Sequence, residues 1–206
     1  DRRIKDNPLE AGKEMEAELS IQNVLEEINK GFKTSAQDDK VIHRIFERID
    51  YKKDNKIDKE ELEHTLRSLG YEPVKINQYG ISEVEQMIWE VDEDSDGCVS
   101  MEEFQMMFDR GRNDRTGHEP RKLFNLCQFM CLDRDGDGSI STEECMEMIM
   151  HRYGRNKMNE VFPERSDAQE REITLSDFLL QVNRSQNKAA QRDNKSNKMP
   201  SIGKKK

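Results

Sequence analysis

Long apolar runs are missing from this chain, and so is most of what marks a large enzyme. Its 206 residues are 33% hydrophobic and 37% charged, with 6% aromatic and a single Trp. No apolar stretch approaches the ~20 residues that cross a bilayer. Residues 1–33 hold no uninterrupted apolar block that would serve as a secretory signal. So lean a composition predicts small helical lobes joined by polar segments. The chain opens on Asp1 and not on Met, as a trimmed form of a longer protein would. Only four cysteines are present, and no two have the C-x-x-C spacing of a zinc knuckle or redox motif. Cys98, Cys127, Cys131 and Cys145 read as reduced thiols. His43, His64, His118 and His151 form no triad or metal spacing, and no Gly-rich phosphate loop is present. These absences argue against an enzyme and for a soluble, cytoplasmic protein.

What is there is acid, unevenly spread. The net charge of −9 hides a basic end: from Asn183 onward there are eight Lys or Arg against Asp193 alone, or +7, leaving about −16 elsewhere. An acidic body suits a cation binder and argues against nucleic acid as a partner. The segment 183–206, rich in Asn, Gln, Lys and Ser, reads as a disordered basic tail.

One unit recurs four times. From Asp92 the chain reads DEDSDGCVSMEE and from Asp133 DRDGDGSISTEE, each with acids at positions 1, 3 and 5, Gly at 6, a β-branched residue at 8, Ser at 9 and Glu at 12. Weaker copies start at Asp50 (DYKKDNKIDKEE) and Ser166 (SDAQEREITLSD). Position 8 is Ile57, Val99, Ile140 and Ile173, a spacing of 33 to 42 residues. Before the first loop Ile42, Ile45, Phe46 and Ile49 line one helix face, and before the second Val84, Met87, Ile88 and Val91 do the same. Met158, Val161 and Phe162 precede the fourth loop, and Phe178 follows it. The helix before the third is apolar nearly all round (Leu123, Phe124, Leu126, Cys127, Phe129, Met130, Leu132). Either the rest of its own lobe covers it, or it is a partner surface. Ahead of the repeats, Asn7, Pro8 and Glu10 fit a helix start, with Ile21, Val24, Leu25, Ile28 and Phe32 on one stripe.

Twelve residues with oxygen donors at alternate positions can curl around a hard cation, and Ca²⁺ takes six to eight oxygens. The candidate ligands of the second unit are Asp92, Asp94, Asp96, the Cys98 carbonyl, Ser100 and Glu103, turning at Gly97. Those of the third are Asp133, Asp135, Asp137, the Ser139 carbonyl, Ser141 and Glu144, turning at Gly138. Two Ca²⁺ sites are thus expected, with Mg²⁺ as competitor. The first unit offers Asp50, Asp54, Asp58 and Glu61, but Lys52 stands at ligand position 3 and Asn55 at the turn, which weakens it. The fourth, with Ser166, Ala168, Arg171 and Asp177, should bind nothing.

These loops resemble the EF-hand superfamily of calmodulin and troponin C over about 42–182. The resemblance implies an all-α fold of EF-hand pairs, each pair joined by a short antiparallel contact, Ile57 to Val99 and Ile140 to Ile173. The expected organisation is an N-terminal helical extension 1–35, lobes 36–110 and 119–182, and the tail 183–206. The charged, Gly- and Pro-containing segment Arg110–Pro120 is the expected linker. The resemblance also implies a sensor or regulatory subunit that binds a helical segment of a protein partner, with Met87, Met106, Met107, Met130, Met146, Met148, Met150 and Met158 as a groove. The alternatives are a constitutive structural subunit or a calcium buffer. The run from Met87 through His118-Glu119-Pro120 and Leu123-Phe124-Asn125 is similar to EF-hand proteins of cilia and flagella, including dynein-arm docking subunits. That implies axonemal, microtubule-associated partners.

Overall fold

A computed structural model of the protein describes residues 36–76, 80–114, 118–156, 159 and 172–182. The expected N-terminal helix, the tail, and Met158, Val161 and Phe162 lie outside these residues. Helix α1 (Ala36–Ile49) buries Ile42, Ile45, Phe46 and Ile49, the face its spacing predicts. Strand β1 (Lys56–Ile57) and helix α2 (Lys59–Ser68) follow, then α3 (Glu83–Trp89), β2 (Val99–Ser100) and α4 (Met101–Asn113). The second half repeats this with α5 (Lys122–Leu132), β3 (Ser139–Ile140), α6 (Thr142–Tyr153), β4 (Ile173–Thr174) and a helix over 175–182, here α7.

The helix starts are written into the loops. Asp58, Ser82, Ser100 and Ser141 each cap a helix through the backbone N–H three residues on. Glu61, Glu85, Glu103 and Glu144 return the contact to the cap residue's own N–H. In three of the four the capping Glu is also position 12 of its loop, so one side chain starts the exit helix and faces the candidate metal site. The strand pairs form as the repeat requires: Ile57 faces Val99 and Ile140 faces Ile173, all four buried.

The two hand pairs share one continuous buried cluster. Helix α5 is the reason. Leu123, Phe124, Leu126, Cys127, Phe129, Met130 and Leu132 are all buried, against α1, α3 and α4 of the first pair as well as α6 of the second. Its second apolar side is therefore covered by the other hand pair, an arrangement neither sequence-level alternative contained. Met87, Met107 and Met130 are buried in the same cluster, while Met106 and Met150 stand exposed. Met146 and Met148 are half-buried, so the expected groove is covered at Met87, Met107 and Met130 and not along the second hand pair.

The segment Arg110–Pro120 departs from a simple linker as well. Its first four residues continue α4, and the turn that follows is fastened. The Arg121 guanidinium donates to the Gly111 carbonyl (3.0 Å) and to Asp114 Oδ2 (2.7 Å). Gly111 is needed for the close approach of α4 and α5, because a Cβ there would lie 2.6 Å from Phe124 Cδ2.

Candidate metal centres

The second and third loops each gather three of their four predicted acidic ligands, without Glu103 in the one and Asp137 in the other. Carboxylate oxygens of Asp92, Asp94 and Asp96 lie within 4.8 Å of one another, and so do those of Asp133, Asp135 and Glu144. Backbone amides hold them there. Asp92 accepts from the N–H groups of Ser95 (2.7 Å) and Gly97 (2.9 Å), and Asp133 from that of Gly136 (2.7 Å). Glu103 faces inward already: Oε1 accepts from the Glu93 N–H (2.9 Å) and Oε2 from the Ser100 N–H (2.9 Å) and hydroxyl (2.8 Å). Glu144 does the same with the N–H groups of Arg134 (2.8 Å) and Ser141 (2.9 Å). Gly97 and Gly138 turn at φ 85 and 92, where a Cβ would be strained. Cys98 and Ser139 occupy position 7, where the sequence assigns the backbone carbonyl. All four cysteines are thiols.

The chemistry of the third loop fits a cation on independent grounds. Asp133 is 1% exposed, and its Oδ2 has no hydrogen-bond partner. A buried carboxylate oxygen needs positive charge beside it, and here the Arg48 guanidinium, 3.5 Å away, supplies the nearest one. Burial pushes the Asp133 carboxyl up, while the Arg48 charge and the Gly136 amide pull the other way. In the second loop Glu103 is lowered: burial raises it, but the hydrogen bonds from Ser100, Glu93 and Asp94 outweigh that.

The first loop has kept more of its shape than its sequence promises. Asp50, Asp54 and Glu61 bring oxygens within 4.8 Å of one another. Asn55 takes the left-handed turn at φ 66 in place of Gly, and its N–H donates to Asp50 Oδ2 at 2.9 Å. What it has lost is Asp58. The Lys52 ammonium at position 3 pairs with Asp58 and with Glu60 (2.9 Å). In the fourth loop only 172–177 are described; Thr174 Oγ1 donates to Asp177 Oδ2 at 2.8 Å.

Two basic side chains that loop spacing could not reveal touch these acids from the first hand. Lys56 Nζ bonds Asp96 Oδ2 across the β1–β2 pair, raising the Lys56 pKa and lowering that of Asp96. Arg48, at the end of α1, reaches the third loop. The only hint in sequence was for Lys56, since pairing of position 8 places position 7 beside the neighbouring loop.

Paired helix–loop–helix units with capped, acid-lined twelve-residue loops define an EF-hand protein. The family model for an EF-hand domain pair matches residues 39–108, and that for a single EF hand matches 126–149. The chain is 36% identical over 156 residues to calmodulin-like protein 5 of Arabidopsis thaliana, covering 56% of this chain and 69% of the relative. It is 26% identical over 175 residues to calcium-binding protein CML19 of the same plant, covering 82% of this chain and 98% of that one. It is also 32% identical over 108 residues to probable calcium-binding protein CML25, spanning 52% of this chain and about half (53%) of that relative. The chain belongs to the EF-hand superfamily, with calmodulin-like proteins among its relatives. No helix among the described residues is long and apolar enough to cross a membrane.

Proposed function

We propose that this protein is a calcium-binding regulatory subunit, with Ca²⁺ held at the second and third hands and the first hand as a weakened site. The observation that carries the reading is Asp133: a buried carboxylate whose Oδ2 accepts no hydrogen bond and has the Arg48 guanidinium 3.5 Å away, in a loop that brings Asp135 and Glu144 to the same point. Asp92, Asp94, Asp96, the Cys98 carbonyl, Ser100 and Glu103 would hold one ion. Asp133, Asp135, Asp137, the Ser139 carbonyl, Ser141 and Glu144 would hold the other. A bound calcium ion supplies two positive charges that relieve the mutual repulsion of four carboxylates per loop. The names of the relatives, calcium-binding and calmodulin-like, support the same ion.

Regulation is favoured over simple buffering because α5 joins the two hand pairs through one core, so a change in one loop acts on both. Tuning of a subunit already seated in an assembly fits the shared core, in which Met87, Met107 and Met130 are buried. The partner is proposed to be a helical protein segment. The likeness of Met87–Asn125 to ciliary and flagellar EF-hand proteins supports an axonemal, dynein-docking or microtubule-associated one.

The test is a calcium titration at physiological Mg²⁺ that follows Trp89, which is 78% exposed at the end of α3, three residues before the second loop. Glu103→Gln should abolish the change at Trp89, whereas Glu144→Gln should preserve most of it and remove only the part transmitted through α5. A Trp89 signal that survives Glu103→Gln would refute the assignment of the second hand.

A further inference from the structure

The third loop is seated on the first hand. The Arg48 guanidinium, carried by the last turn of α1, donates to the Gly136 carbonyl at 3.2 Å and stands 3.5 Å from Asp133 Oδ2. That oxygen is the buried one without a hydrogen-bond partner. Position 4 bears a side chain in the first two loops, Lys53 and Ser95, in the same left-handed conformation. In the third it is Gly136, and a Cβ there would lie 3.0 Å from Arg48 Nη2. The missing side chain leaves the space that the guanidinium fills. On the far side of the loop a Cβ at Gly138 would lie 3.4 Å from Leu69 Cα, so the end of α2 supports the loop as well. A cavity of about 180 Å³ remains between α1 and the loop, lined by Arg44, Ile45, Arg48, Met130 and Asp133–Gly136.

We propose that Arg48 is a latch between the hand pairs: its guanidinium supplies the positive charge beside Asp133 that calcium would otherwise supply, so metal binding at the third hand and docking of that loop on α1 oppose each other. The inference rests on reading the third hand as a calcium site. Two cations beside one buried carboxylate repel, and the arginine is the one free to move, since its side chain is 34% exposed. The coupling is reciprocal. A partner that draws α1 away from the loop raises the calcium affinity of the third hand by the factor with which calcium favours that separation. The first hand would then act on the metal bound by the third.

The amide resonances of Gly97 and Gly138 report the two loops separately in calcium titrations of the full chain. Arg48→Ala should lower the calcium midpoint at Gly138 by about two- to fivefold, the range expected of a partly exposed charge pair, and leave Gly97 unmoved. Arg48→Glu should lower it further, and Arg48→Lys should stay near wild type, because charge and not packing sets the order. In calcium-free protein Arg48→Ala should lower Tm, and most of that effect should vanish in an Asp133→Asn background. Equal Gly138 midpoints for Arg48, Ala and Glu would overturn the latch while leaving the calcium site intact. A Gly138 amide that ignores calcium in every variant would overturn both.

Discussion

At the scale of single residues, charge at a few positions decides which loops are open to metal. Lys52 is the clearest case. Asp50, Asp54 and Glu61 already converge, yet the ammonium at position 3 holds Asp58 and Glu60. Replacing it with a ligand, Lys52→Asp, should create a third calcium site, seen as an added equivalent in calorimetry; an unchanged stoichiometry would show that Asn55 and not Lys52 is the defect. The thiols divide in the same local way. Cys127 and Cys145 are buried, and burial pushes both up, Cys145 to about 12. Cys98 and Cys131 are half-buried. A thiol reagent should modify Cys98 and Cys131 first and reach Cys127 and Cys145 only on unfolding, which mass spectrometry of the labelled peptides resolves.

At the scale of elements, the capping boxes connect loop chemistry to helix stability. Ser82 and Glu85 start α3, and the Glu85 carboxyl is held down to about 2, chiefly by the hydrogen bond from Lys59 and then by those from Ser82. A carboxyl depressed on folding stabilises fully above its ordinary value of 4.5, and that contribution is lost as pH falls towards 2. Glu85→Gln should therefore lower the urea midpoint at pH 7 and converge with wild type near pH 2. A constant difference between the two at all pH values would refute the linkage. Much at this scale was legible in sequence. Apolar spacing and the capping residues gave the helices, which depend on neighbours within a dozen residues, and the repeat of position 8 gave the strand partners 42 and 33 residues apart. Arg48 and Lys56 were not legible as contacts of the loops. Arg48 meets Gly136 at a separation of 88 residues, which no local pattern encodes, and Lys56 meets Asp96 at 40, with only the pairing of position 8 to hint at it.

At the scale of the whole molecule, the hand pairs are joined by packing more than by a tether. An all-round apolar helix announced that α5 would be buried on two sides. Which helices cover it depended on how Gly111 lets α4 meet Phe124 and how Arg121 fastens the turn. Gly111→Ala should force these helices apart and cost about 1–3 kcal/mol, the usual range for overpacking a core, with chemical denaturation as the measurement. Loss of that stability together with a shifted calcium response would show that the junction transmits between the pairs. An unchanged denaturation midpoint would mean that α4 and α5 have room to spare. Whether the second and third loops are calcium sites is decided by calorimetric titration of the purified chain at physiological Mg²⁺. Two equivalents should bind in the range of ~10⁻⁷–10⁻⁵ M, one lost in Glu103→Gln and one in Glu144→Gln. Binding weaker than millimolar, or equivalents that survive both substitutions, would contradict it.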